Sequence, residues 1–280
     1  MNLIKPKKNK TLLQIGIPCG FNSEKYAEFL IETCDKTISD EVEIQYLLSV
    51  NNSDVNVDFL RNIKTDKSKK VFIYNKTNSS GLGHGKNLDF LLTKINSELG
   101  AILDADIAFL KKGWDKYLLP QIKNKNVIIG AEYDGEKYKN FPNAIGCFFK
   151  TKILKKCNIS FTPKQTFMSR LLNTYKTKKI KVNSNEMSKI YSVNKGSSIY
   201  LDTGYQLPFK LKKNGYSGIA MPIYRKHSKE AKFIGDVGEE YHFKNQPIFT
   251  HIGRSSYRLF DKNEDVIKWK EATINWINKQ

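Results

Sequence analysis

The chain has 280 residues, of which 40% are hydrophobic and 12% aromatic, enough apolar material for one sizeable core. Charged residues make up 27%, a share typical of globular proteins, so a fibrous or wholly disordered chain is excluded. The excess of 47 Lys and Arg over 28 Asp and Glu gives a formal charge of +19. This charge favours anionic partners such as nucleotide diphosphates, phosphorylated acceptors, nucleic acid or anionic lipid.

The cysteine spacing and the first residues of the chain indicate where in the cell the protein is expected. The four cysteines form no close Cys-x-x-Cys pair, which indicates neither a zinc knuckle nor a disulfide framework. The basic start is followed by an apolar stretch that Gln14, Gly16 and Pro18 interrupt, unlike a signal peptide. No apolar run approaches the roughly 20 residues that span a bilayer. We therefore expect a cytoplasmic protein, with peripheral contact to an anionic membrane as a further option.

Strand and helix patterns alternate through the first half of the chain. Buried strands are predicted at 11–17, 43–50, 71–74, 101–103 and 127–130. Ser23 is predicted to cap a first helix; a second helix follows the glycine-containing loop at 79–85 and ends at Gly100. Because no short hairpins separate these strands, the alternation predicts parallel pairing. The expected fold class is α/β, with a mainly parallel central sheet flanked by helices.

The second half of the chain is less regular. Residues 162–198 are rich in Lys, Asn and Ser, and they are expected to hold a helix around 167–175. A loop at 176–195 follows, which we expect to become ordered when substrate arrives. From Asp265 onward, apolar residues recur at helical spacing. They predict a closing amphipathic helix that packs on the rest of the domain rather than on a membrane.

Two aspartates, Asp104 and Asp106, follow a short apolar strand. In a parallel sheet, residues just beyond the carboxyl ends of the strands line the ligand crevice. Two neighbouring carboxylates repel each other, and a divalent cation relieves that repulsion; magnesium and manganese suit such oxygen ligands. Asp-x-Asp pairs are also frequent in surface loops, so the position at the sheet edge is the stronger part of the prediction.

Four segments resemble the GT-A glycosyltransferases, and among them the inverting family 2. They are Ile15-Gly-Ile-Pro-Cys-Gly-Phe-Asn22, Val50-Asn-Asn-Ser-Asp54, Gly81-Leu-Gly-His-Gly-Lys-Asn87 and Ile102-Leu-Asp-Ala-Asp-Ile107. The resemblance covers residues 11–255 and implies the GT-A (nucleotide-diphospho-sugar transferase) fold. The chain departs from the family pattern at Asn51 and Asn52, where aspartates are usual, and at Lys86, where Arg is common.

The resemblance also implies a set of site residues for a UDP- or GDP-linked sugar donor. The donor-binding residues that it implies are Pro18, Cys19, Asn51, Asp54, Gly83, His84, Lys86, Asn87, Asp104 and Arg254. Asp104 and Asp106 are implied to hold Mn2+ or Mg2+, with His251 as a third ligand, although a lone histidine after a strand is more often a packed residue. Asp202 is the implied base that takes the acceptor's proton during inverting transfer. Its other interpretation is as the cap of a helix beginning near Leu207.

Under this interpretation residues 1–280 form a single GT-A domain. A nucleotide-sugar-binding half covers 11–130, an acceptor-binding half covers 131–260, and a C-terminal helix covers 261–280. The acceptor would be a glycan, a lipid-linked molecule or a protein, with no specific nucleic acid expected.

Other classes of function remain open. A basic nucleic-acid-binding protein without catalysis fits the charge, but no binding motif or stacking platform is present. A sugar nucleotidyltransferase on a related fold needs a glycine-rich, arginine-bearing loop after the first strand, which residues 16–20 do not supply. Phosphohydrolases that form an aspartyl phosphate usually carry their Asp-x-Asp near the N-terminus, unlike this chain.

Overall fold

A computed structural model gives the structure of the protein. It describes residues 10–50, 54–65, 70–75, 83–132, 141–162, 191–193, 199–201, 203–204, 206–225, 231, 233, 237–253 and 258–280. The helix predicted around 167–175 lies outside these residues, as does most of the loop predicted at 176–195.

The elements are numbered here in chain order. The strands are β1 (Thr11–Cys19), β2 (Val42–Val50), β3 (Lys70–Asn75), β4 (Leu99–Leu103), β5 (Ile107–Phe109), β6 (Asn126–Ala131), β7 (Gly146–Lys150), β8 (Tyr191–Val193), β9 (Ile199–Leu201), β10 (Ser217–Met221), β11 (Ile223–Arg225), β12 (Glu239–Phe243) and β13 (Gln246–His251). The helices are α1 (Glu24–Thr37), α2 (Val57–Arg61), α3 (His84–Lys94), α4 (Trp114–Leu118), α5 (Thr151–Lys156), α6 (Leu207–Lys213) and α7 (Glu264–Asn278), with a 3-10 turn at Leu119–Gln121.

The central sheet has seven strands in the order β10-β6-β7-β4-β1-β2-β3. The pairs β1/β2, β1/β4, β2/β3 and β10/β6 are parallel, whereas β7 runs antiparallel to β4 and β6. One face of the sheet packs on α1, α4 and α7, and the other packs on α3, α5 and α6. The structure thus confirms the predicted α/β class with a mainly parallel central sheet flanked by helices.

A smaller antiparallel sheet adjoins the central one, with its strands in the order β11-β12-β13-β5. Its last strand, β5, begins at Ile107, immediately after Asp106. Ile107 is the register partner of His251 on β13. The two sheets therefore meet where the metal site is predicted. Strands β8 and β9 form a separate two-stranded pair.

The predicted end of the second helix is wrong. This helix, α3, ends at Lys94, and Gly100 belongs to β4. The main-chain N of Ser97 donates to Gln14 Oε1 on β1 at 2.9 Å, so a buried side chain stabilises the turn that follows the helix. Gly100 does not end the helix. It allows close packing in β4, because a Cβ there would lie 2.7 Å from a ring carbon of Phe149.

The closing amphipathic helix is confirmed as α7. Its buried side chains are Val266, Trp269, Thr273 and Ile277. The Trp269 ring packs edge-to-face on Phe29 of α1, with centroids 5.2 Å apart, and its Nε1 donates to Thr250 Oγ1 at 3.1 Å. This helix therefore packs on the domain, directly behind strand β13. Across the part of the chain that the structure describes, the helices are too short or too polar to cross a membrane.

Candidate metal centre

The two aspartates lie where the order of the central sheet reverses. From β1 the chain moves outward through β2 and β3, whereas β4 pairs with the opposite edge of β1. In sheets of this kind such a reversal opens a crevice at the carboxyl ends of the strands. Asp104 directly follows β4, and its main-chain N donates to Ile145 O at 2.7 Å. Asp106 accepts a main-chain hydrogen bond from Ile252 at 3.2 Å, which joins it to the end of β13.

The structure brings together the three residues that were predicted to bind a metal. Asp104, Asp106 and His251 each offer one ligand atom, and these atoms lie within 4.8 Å of one another. His251 Nε2 is 3.2 Å from Asp106 Oδ1. The side chains are 19%, 7% and 12% exposed, respectively. The cluster is therefore shielded from bulk water yet still reaches the surface at Asp104.

These residues fit a divalent cation. Asp104 Oδ1 is buried and makes no well-aligned hydrogen bond within the described part of the chain, although His84 Nε2 lies 3.4 Å away. Burying a carboxylate oxygen in this way is costly unless another group compensates it. Two carboxylates with one imidazole suit Mn2+, and the carboxylate oxygens also suit Mg2+. The three residues therefore form a group that could hold a divalent metal ion.

The charges at the centre shift two pKa values strongly. Burial lowers the pKa of His251, but the negative charge of Asp106 and the contacts with Asp106 and Glu239 outweigh it and raise that pKa to about 10. Burial raises the pKa of Glu239, but His251, together with Tyr241 and Arg225, outweighs it and lowers that pKa to about 2. Both shifts favour a positively charged imidazole beside these carboxylates. A metal ion would displace the imidazole proton.

The start of α3 lies beside this centre. Gly83 is its N-cap, and the first turn holds His84 and Lys86 but no acidic residue. The main-chain N–H groups at a helix start, together with a lysine, form a favourable environment for phosphate. Asn87, unlike His84 and Lys86, is fully buried. Its Nδ2 donates to Ser49 O on β2 at 3.2 Å. It anchors α3 to the end of β2.

The remaining predicted donor residues lie at the ends of β1 and β2. Pro18 and Cys19 are buried in β1, and burial raises the pKa of the Cys19 thiol to about 12, so that thiol stays neutral. Asp54 is exposed in the turn before α2. Their contacts with a donor remain predictions.

Three further predictions fall on residues outside the described part of the chain: Asn51, Asp202 and Arg254. The alternative that Asp202 caps the helix near Leu207 is wrong, however. The N-cap of α6 is Gln206, four residues later in the chain. The role of Asp202 as the base remains a prediction.

Sequence analysis missed a carboxylate next to the metal centre. Glu239 on β12 lies with its Oε2 3.6 Å from His251 Nδ1, an ionic contact slightly too long for a hydrogen bond. The same oxygen accepts a hydrogen bond from Tyr241 Oη at 2.9 Å. Glu239 and Tyr241 are two residues apart, which is the spacing at which side chains of a strand lie on the same face. Sequence alone does not show which strand faces them.

A cavity of about 350 Å3 opens between α1, α2 and the segment before α7. The residues that line it are Asn22, Glu24, Lys25, Asn56, Phe59, Leu259, Phe260, Asp261 and Lys262. The predicted donor-binding and metal-binding residues are not among these lining residues. The cavity is therefore distinct from the metal centre.

Comparisons with known proteins give distant structural likenesses. No protein-family model and no curated protein sequence matches the chain. Similar solved structures include the mannosyltransferase PcManGT from Pyrobaculum calidifontis in complex with GDP-Man and Mn2+, at 11% identity and a TM-score of 0.48, over 77% of this chain and 56% of that one. S. aureus TarS in complex with UDP-GlcNAc is similar at 18% identity and a TM-score of 0.40, over 54% of this chain and 48% of that one. The chain thus spans about half the length of these proteins.

Proposed function

We propose that the chain is a metal-dependent glycosyltransferase that moves a sugar from a nucleotide-diphosphate sugar to an acceptor hydroxyl, with inversion at the anomeric carbon. The observation that carries the proposal is the convergence of Asp104, Asp106 and His251 within 4.8 Å at the ligand edge of a mainly parallel sheet. The resemblance of four sequence segments to GT-A enzymes supports the same chemistry. The donor would be UDP- or GDP-linked, and the acceptor would be a glycan, a lipid-linked molecule or a protein.

Asp104, Asp106 and His251 would hold Mn2+ or Mg2+. When bound, such an ion neutralises the charge that builds on a departing diphosphate. The chain preorganises these ligands through its backbone, because Asp104 N is bonded to Ile145 O and Asp106 O to Ile252 N. Ligands fixed in this way need little rearrangement during the reaction.

Donor phosphates would lie against the start of α3. Lys86 is exposed there, and the first turn contains no acidic side chain to repel an anion. Because Asn87 ties this turn to β2, the helix start has a fixed position relative to the sheet edge. This arrangement would place the diphosphate between the positive end of α3 and the carboxylates of the metal centre.

Asp202 would act as the base. The acceptor oxygen forms a bond to the anomeric carbon as the bond from that carbon to the diphosphate breaks, and the acceptor's proton passes to the Asp202 carboxylate. Attack from the face opposite the diphosphate inverts the configuration. In this scheme residues 11–130 bind the donor and residues 131–260 bind the acceptor, with residues 261–280 as the closing helix of a single domain.

The test combines metal binding, donor binding and turnover. Thermal-shift measurements over a panel of UDP- and GDP-sugars, with and without Mn2+, should show stabilisation that needs both ligands, since a ligand of the folded state raises its stability. Donor hydrolysis with Mn2+ should disappear in Asp104→Ala and in Asp106→Ala. Asp58→Ala is the matched control, because Asp58 is an 83% exposed aspartate on α2 and should leave hydrolysis unchanged.

Two results would count against this function. Wild-type donor turnover in Asp104→Ala or Asp106→Ala would reject the assigned site. A chain that binds nucleic acid at physiological ionic strength in a salt-sensitive gel shift, and that shows no Mn2+-dependent donor binding, would instead be the basic nucleic-acid-binding protein of the alternative interpretation.

A further inference from the structure

A row of charged side chains crosses the small sheet and ends at the metal centre. In the strand registers, Arg225 on β11 lies opposite Glu239 on β12, and Glu239 lies opposite His251 on β13. Residues directly opposite each other in antiparallel strands project to the same face and contact one another. Asp106, which immediately precedes β5, completes the row through its contact with His251.

The contacts along this row are short and alternate in charge. Arg225 reaches Glu239 Oε1 with both Nε and Nη2, each at 2.8 Å. The other carboxylate oxygen, Oε2, accepts from Tyr241 Oη at 2.9 Å and faces His251 Nδ1 at 3.6 Å. Glu239 is therefore held from two sides, with one oxygen turned to the imidazole.

The row also runs from the surface into the protein. The side chain of Arg225 is 51% exposed, that of Glu239 24% and that of His251 12%. The two nitrogens of His251 face different carboxylates, since Nδ1 faces Glu239 and Nε2 faces Asp106. A 180° flip of the ring would put Cδ2 and Cε1 where Nδ1 and Nε2 lie, so both contacts would be lost. Because the flip would turn a C–H group toward Glu239, the carboxylate of Glu239 opposes it.

We propose that Glu239, held in place by Arg225, is a positioning residue that fixes the imidazole of His251 with Nε2 turned toward Asp104, Asp106 and a divalent cation. This inference rests on the proposed function, because it concerns the same cation. A carboxylate behind a metal-binding histidine typically orients the ring, and its loss typically costs about 10- to 100-fold in metal affinity. Glu239 lies on the Nδ1 side of His251, where a carboxylate that orients the ring must be.

The opposite face of β12 supplies a matched control. Glu240 pairs with His242 at 2.7 Å, and both side chains are only 3% exposed. Glu240 also accepts the main-chain N–H of Phe233 at 2.9 Å, and neither residue belongs to the metal group. Glu240→Gln thus removes a histidine-paired carboxylate from the same strand without touching the row.

The experiment measures Mn2+ binding to the full chain by isothermal titration calorimetry. Electron spin echo spectroscopy of the bound Mn2+ detects the nitrogen of a coordinated imidazole. Glu239→Gln should weaken Mn2+ binding about 10- to 100-fold and should diminish the nitrogen coupling. Arg225→Met should weaken binding in the same direction by roughly the lower end of that range. Glu240→Gln should change neither the affinity nor the coupling, even if it lowers the melting temperature.

The outcomes separate this inference from the proposed function. Wild-type affinity and undiminished coupling in Glu239→Gln would overturn the positioning role and leave the metal site intact. An equal loss in Glu240→Gln would also overturn it, since the effect would then belong to strand β12 as a whole. If Glu239→Gln does not fold, Arg225→Met decides, and unchanged Mn2+ binding in that variant overturns the inference. Absence of Mn2+ binding by the unchanged chain would remove both the proposed function and this role.

Discussion

At Gly130, on β6, an added Cβ would come very close to the main chain of the neighbouring strand β7. A Cβ built at this position on β6 would lie 2.0 Å from the carbonyl oxygen of Gly146 and 2.6 Å from Cys147 Cα on β7. Even a favourable carbon–oxygen contact needs about 3.3 to 3.6 Å. Gly130→Ala therefore requires the two strands to separate by more than about 1 Å at this point, because the obstacle is backbone rather than a flexible side chain.

The expected loss of stability follows from the interactions that a separation of β6 and β7 would disrupt. Gly130 is the register partner of Cys147, so the separation would weaken the ladder hydrogen bonds of β6 and β7 near this pair, at about 0.5 to 1.5 kcal/mol each. Overpacking a close-packed interior costs about 1 to 3 kcal/mol on its own. Together these effects should lower the free energy of unfolding by about 3 kcal/mol or more.

The same substitution should reach the metal centre. Ile145, the residue before Gly146, accepts the main-chain hydrogen bond from Asp104. Displacing Gly146 therefore shifts the acceptor that fixes Asp104. Wherever Gly130→Ala still folds, its affinity for Mn2+ should be lower than that of the unchanged chain.

Urea denaturation followed by circular dichroism measures the stability. Gly113→Ala is the control, because Gly113 has a φ of +68° and a Cβ there would meet nothing within 4 Å. That variant should lose only the cost of a left-handed residue, about 1 to 2 kcal/mol. If Gly130→Ala loses no more stability than Gly113→Ala, the argument from close approach is refuted.

Three further predictions concern the packing behind the site, its charge and its base. Trp269→Phe should cost about 1 to 3 kcal/mol in urea denaturation, because it leaves the buried Thr250 hydroxyl without its donor; an unchanged midpoint would contradict this. With divalent ions chelated, the stability from the His251–Asp106 contact should be complete below the usual imidazole pKa of 6.5 and lost as the pH rises through about 10. Urea denaturation across that range should show a smaller loss in Asp106→Asn. Asp202→Asn should bind donor in a thermal-shift assay yet form no product by chromatography; an active variant would exclude Asp202 as the base.

The strands β1 to β4 and β6 could be predicted from sequence because each is a short apolar run that ends at polar or glycine residues, whereas β5 (Ile107–Phe109) was missed. Residues 43–50 were predicted, for example, and Val42–Val50 is observed. The end of α3 could not be predicted in this way. Apolar spacing continues past Lys94, and the turn that follows the helix is stabilised by the long-range contact of Gln14 with Ser97, which the local sequence does not show.

The candidate metal centre was likewise only partly predictable from the sequence. Asp104 and Asp106 could be identified because their signal is local, an apolar strand followed by an acidic pair. His251 needed the family resemblance to be connected with them. Glu239 was missed because its importance depends on strand register, which places it opposite His251, and register between distant strands leaves no mark in a single sequence.

Between Asp106 and β5, the number of residues in the chain matters as much as which residues they are. Ile107 is paired with His251 immediately after the aspartate, and side chains alternate strictly between the two faces of a strand. One residue inserted into β5 or near the end of β13 would turn a ligand to the wrong face without changing a single amino acid of the centre. Evolutionary length variation should therefore accumulate in the connections outside this junction, while the spacing within it stays constant.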